Sequence, residues 1–60
     1  MRFYIDEDVK VNIAEPGESD NWQAGVIKSI YVTFNTNIYL IQLTANKKFI
    51  AAEESNIKEA

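Results

Sequence analysis

Neither cysteine nor histidine occurs in this sequence. Without thiols there is no disulfide framework and no thiolate metal site. Without imidazole, serine has no usual base to activate it, so Ser19, Ser29 and Ser55 make no nucleophilic site. The lack of cysteine fits a reducing compartment, and a cytoplasmic location is expected. Long apolar runs are missing too, since no stretch approaches the roughly 18 residues of a membrane span. Only three apolar residues stand in a row at the start, Phe3-Tyr4-Ile5, too few for a secretory leader. Positive charge is the minority. Six Lys and Arg face nine Asp and Glu, a net charge of −3, which disfavours non-specific contact with phosphate backbones.

What remains is a chain of 60 residues, expected to form one domain over residues 1–60. A domain of this size buries only about 60% of the surface its unfolded form exposes. Its stability has to come from a tight core, from oligomerisation, or from both.

The stretch Trp22 to Tyr31 is the longest run rich in β-branched and aromatic residues, and it reads as a strand with an extension to Phe34 left open. Gly25, set inside it, points to a bend or a close backbone approach. Before it, Asp8 to Ala14 alternates, with Val9, Val11 and Ile13 on one face and Lys10 and Asn12 on the other. Phe3-Tyr4-Ile5 is a short strand or an arm, followed by an acidic turn. Glu15 to Asn21, which holds Pro16-Gly17, is a loop. Asn35-Thr36-Asn37 is a hairpin tip. Ile38 to Thr44 is a third strand, apolar on both faces. Lys48 to Ala52 is a fourth, Glu53 to Asn56 one helical turn, and Ile57 opens a short fifth strand. The competing reading, a helix over residues 51–60, has only Ile57 as a strong anchor and is too short to stand alone. The expected inward set is Val9, Val11, Ile13, Ala24, Ile27, Ile30, Tyr39, Ile41, Leu43, Phe49 and Ile57.

Five short strands, a long bent second strand and a helical turn before the last predict an all-β, five-stranded SH3-like barrel. Trp22-Gln23-Ala24-Gly25-Val26, followed by Ile30, Tyr39-Leu40-Ile41 and Ile57, resembles the Trp-x-Ala-x-Val core spacing of Tudor and Agenet-type domains over about residues 8–58. A second stretch, Trp22-Gln23 with Gly25-x-Ile27, is similar to the Trp-Gln-Gly-Gln-Ile stretch of the small plasmid-borne, trimethoprim-resistant dihydrofolate reductases. That family's Val-Gln-Ile-Tyr motif is replaced here by Phe49-Ile50-Ala51-Ala52, so its activity does not carry over. Fold likeness alone assigns no function.

The resemblance to Tudor domains implies an aromatic surface at the loop ends. Trp22, Tyr31, Phe34 and Tyr39, with Asp20 or Asn37, are the candidates for a cage around a cation. The bland alternative makes Tyr39 a core residue and Trp22 the cap of one barrel end. Three acidic clusters, Asp6-Glu7-Asp8, Glu15/Glu18/Asp20 and Glu53-Glu54, read as solvating charge. The second of them lacks the spacing of an EF-hand. Lys28, Lys47 and Lys48 beside Phe49 form only a small basic group.

Two functions follow as expectations. One is a non-catalytic module, without cofactor or metal, that binds a protein or peptide through Trp22, Tyr31, Phe34 and Asp20. The other is a structural homo-oligomer joined through Val32, Ile38 and Leu40, apolar residues, like Ile50, left over once the inward set is assigned. These separate on whether Phe3 and Ile5 cover that aliphatic face.

Overall fold

The structure is a computed structural model, and it describes residues 3–60. It holds five antiparallel strands: β1 (Asp8–Asn12), β2 (Trp22–Val32), β3 (Asn37–Leu43), β4 (Phe49–Glu53) and β5 (Ile57–Glu59). One 3-10 turn, Glu54–Asn56, precedes β5. The sheet order is β4-β3-β2-β1-β5. A meander whose last strand returns to pair with the first is the connectivity of an SH3-like barrel, and the expected fold class holds. No helix among the described residues is long and apolar enough to cross a membrane.

β2 is the spine. It pairs with β1 from Trp22 to Val26 and with β3 from Gly25 to Val32. Between Ile27 and Ser29 its register against β3 shifts by one, leaving Lys28 as the extra residue of a bulge. A bulge bends its strand and sharpens the local twist. It also resets the alternation, so that Ile27 is buried and Ile30, three residues on, packs against the same core. Gly25 serves a different purpose. A Cβ there would lie 2.6 Å from Ile41 Cγ2 and 3.0 Å from the Gln42 carbonyl oxygen, so β2 and β3 meet too closely for a side chain.

The core is Phe3, Val9, Val11, Ile27, Tyr39, Ile41, Leu43 and Ile57, with Ile30, Ile50 and Ala52 packed against it. The N-terminal arm is part of it. Phe3 meets Tyr39 edge to face, with ring centroids 5.6 Å apart. After Phe3 the arm turns at Asp6, which takes a positive φ of 71°. Its N–H donates to the Ile27 carbonyl, and the Ile27 N–H donates in turn to the Glu7 carbonyl. The arm is thus pinned to β2 beside the bulge.

Three members of the expected inward set face elsewhere. Ile13 lies past the end of β1 and is 38% exposed. Ala24 shares the outward parity of Trp22 and is exposed. Phe49 is opposite Gln42 on the outer face and is 56% exposed, while its neighbour Ile50 turns inward. The four apolar residues from Phe49 to Ala52 carry no polar alternation. Their parity is fixed by the turn before them, in which Lys47, at φ 63°, donates its N–H to the Leu43 carbonyl.

Candidate interaction surface

Asn12 shapes the loop between β1 and β2. Its Oδ1 accepts from the N–H groups of Ala14 and Asn21, at 3.1 and 3.0 Å, and its Nδ2 donates to Asp20 at 3.0 Å. These bonds end β1 and bring the two stems of the loop together. Glu18 accepts from the Glu15 N–H at 3.0 Å within the same loop, and Glu7 accepts from the Tyr4 N–H at 2.9 Å in the arm. The acidic residues Asp20, Glu18 and Glu7 therefore act as local clasps on backbone and amide groups. The role of Asn12 is not singled out in the sequence. Its only signal is an asparagine at a strand end just ahead of a Pro-Gly loop.

The aromatic candidates divide between two ends of the molecule. Trp22 opens β2 and Asp20 stands just before it, at the end shared with the turn between β3 and β4. Tyr31 lies at the far end of the eleven-residue strand, and Phe34 is fully exposed on the hairpin that follows. That hairpin is closed by Thr33, whose N–H donates to the Thr36 carbonyl at 2.9 Å. Tyr39 is completely buried, with its hydroxyl near Glu54, so it is a core residue and contributes to no cage. Trp22 is half-buried on the outer surface, and Lys58 Nζ sits 4.1 Å from its ring centroid. The chain's own cation covers that ring face. Trp22 therefore shares no surface with Tyr31 and Phe34, which lie at the far end of β2 and beyond it.

The aliphatic candidates divide as well. Ile38 and Leu40 alternate with the buried Tyr39 and Ile41, so both lie on the outer face of β3. Opposite them are Tyr31 and Ser29 on β2, and Glu53 and Ala51 on β4. Residues directly opposite in an antiparallel pair share a face. Gln42, flanked by Val26 and Phe49, continues the surface. Val32 is 75% exposed but sits opposite Asn37, on the parity of Ile30 and Tyr39, and so belongs to the other face.

The outcome is one outer face across β2, β3 and β4. Half-buried Ile38 and Leu40 lie at its centre, with exposed Tyr31 and Phe49 at opposite corners. Phe3 does not cover it, because Phe3 lies in the core against Tyr39, and Ile5 is itself exposed. In comparisons with known proteins, no family model matches the chain, and neither a curated protein nor a solved structure matches it.

Proposed function

We propose that this protein is a non-catalytic interaction module of a reducing, cytoplasmic compartment, and that it binds another protein through the outer face of β3 and its two flanking strands. The observation that carries the proposal is the half-buried pair Ile38 and Leu40 on the outer face of β3, framed by the exposed Tyr31 and Phe49. Its composition suits a contact surface. The centre is aliphatic, the rim is aromatic, and Glu53 at one corner is the only charged residue among the paired positions. Phe34, fully exposed on the adjoining hairpin, extends the surface beyond Tyr31. The lack of histidine and cysteine supports the non-catalytic part.

The test is a quantitative pull-down with the parent protein, a Tyr31→Ser/Leu40→Gln variant and Trp22→Ala, each verified as folded by circular dichroism. Truncating a true hot spot costs about 2 kcal/mol or more, some thirtyfold in affinity. The double variant is expected to lose partners by at least that factor, and Trp22→Ala to keep them. A folded double variant with the parent's full set of partners overturns the proposal. A structural homo-oligomer is the second reading, favoured by the same apolar outer face. Under it the double variant is monomeric where the parent is not.

A further inference from the structure

The two edges of the sheet are built differently. β5 is three residues long and carries Lys58 and Glu59, the short, charged form that guards an edge against further pairing. β4 is five residues, Phe-Ile-Ala-Ala-Glu, and has no lysine, proline or bulge within it.

The ladder between β3 and β4 decides which backbone groups of β4 are free. Leu43 donates its N–H to the Lys48 carbonyl at 2.8 Å. Hydrogen-bonded pairs alternate along an antiparallel ladder, so the next two are Ile41 with Ile50 and Tyr39 with Ala52. Phe49, Ala51 and Glu53 therefore turn their N–H and C=O groups away from β3. Among the described residues these groups have no partner. A groove of about 520 Å³ runs beside them, between Ile50–Glu53 and the chain at Asn12–Ala14, and leaves space along the edge.

The sequence through this edge is Lys47-Lys48-Phe49-Ile50-Ala51-Ala52-Glu53-Glu54, two cations before the apolar residues and two anions after them. Such a segment is complementary in charge to itself when antiparallel and opposed to itself when parallel. We propose that the free edge of β4 is a self-docking site, on which a second copy of the chain adds its own β4 in antiparallel register about Ala51. Ala51 faces its counterpart across a twofold axis, Phe49 faces Glu53 of the second copy, and Lys48 faces Glu54. All three outward-turned residues of each strand then find partners. A one-residue slip sets Ala51 against Ala52, whose backbone groups are already used by β3. A two-residue slip leaves either Phe49 or Glu53 of β4 unpaired within the new ladder. The small side chain of Ala51 lets the strands meet at the axis, and the shared contact is isologous. This inference goes beyond the reading of the β3 face and stands apart from it, because it uses the backbone of β4 rather than the side chains of β3.

The experiment measures association by sedimentation over a concentration series, together with amide hydrogen exchange. The parent is expected to dimerise, and the amides of Phe49, Ala51 and Glu53 to gain protection as concentration rises. Ala51→Pro removes an N–H that only the dimer uses, at an outward-turned edge-strand position of the kind proline accepts, and is expected to be a folded monomer. Lys48→Glu is expected to weaken the dimer about fivefold, the scale of a pair of exposed charge contacts. A parent that stays monomeric up to about 1 mM overturns the proposal. So does a folded Ala51→Pro protein as dimeric as the parent. If Ala51→Pro unfolds, exchange in the parent decides. A dimer in which those three amides stay unprotected, and which Tyr31→Ser/Leu40→Gln abolishes, places association on the β3 face and rejects the edge.

Discussion

At the residue scale, Gly17 and Gly25 answer different needs, and their substitution separates the two. Gly17 has a φ of 90° and open space around the position of a Cβ. Alanine there meets only backbone strain, about 1–2 kcal/mol. Gly25 has no positive φ, but a Cβ would strike Ile41 Cγ2 and the Gln42 carbonyl. Ile41 is β-branched and fully buried, so it cannot swing away. Gly25→Ala is expected to cost about 1–3 kcal/mol by overpacking. Urea midpoints measure both. Relief of the Gly25→Ala defect by Ile41→Ala, with a double variant less destabilised than the sum of the singles, would identify the contact as the cause. The close approach at Gly25 is legible in the sequence, as a glycine inside a β-branched run. The clasp at Asn12 is not, because one asparagine in a polar loop looks like any other until its partners are in place.

At the scale of elements, the bulge at Lys28 governs β2. Lys28 is exposed, so Lys28→Ala is expected to change stability by less than about 0.5 kcal/mol. Deleting Lys28 differs in kind. Ser29 would follow Ile27 in unbroken alternation, still opposite Leu40, and the strand would straighten. Ile30 would keep its inward parity, but the arm hydrogen bonds at Ile27, next to the bulge, would meet a straighter strand. The deletion is expected to lower the urea midpoint, and a deletion protein with the parent's midpoint would show that the curvature arises elsewhere. The spacing of Ile27 and Ile30 shows that both cannot face inward on a regular strand. It does not say where the extra residue sits, since that is settled only by pairing with β3. Parity in β4 is hidden for a related reason. Its residues are apolar on both faces, and Phe49 points outward only because the preceding turn sets it opposite Gln42.

At the scale of the whole molecule, a domain of this size has little stability to spare, and Phe3 is a large part of its core. Phe3→Ala is expected to cost about 3–5 kcal/mol, comparable to the entire stability of such a domain. Ile5→Ala, at an exposed position of the same arm, is expected to change little. Thermal melts followed by circular dichroism distinguish the two. Equal and small effects would mean that the arm is dispensable to the core. The placement of Phe3 decides more than stability, because an aromatic residue committed to Tyr39 inside the barrel cannot shield Ile38 and Leu40 outside it. The sequence by itself determined the all-β class, the number and order of strands, the helical turn before the last of them, and most of the core. Those features rest on local alternation, turn chemistry and the exclusion of disulfides and metal thiolates by composition. Only the tertiary structure decided which aromatics share a surface, which face of β4 is outward, and that Trp22 lies beneath Lys58 at the opposite end of β2 from Tyr31. Those outcomes depend on strand register and on the bend in β2, which arise from contacts between residues distant in the chain and leave no local mark on it.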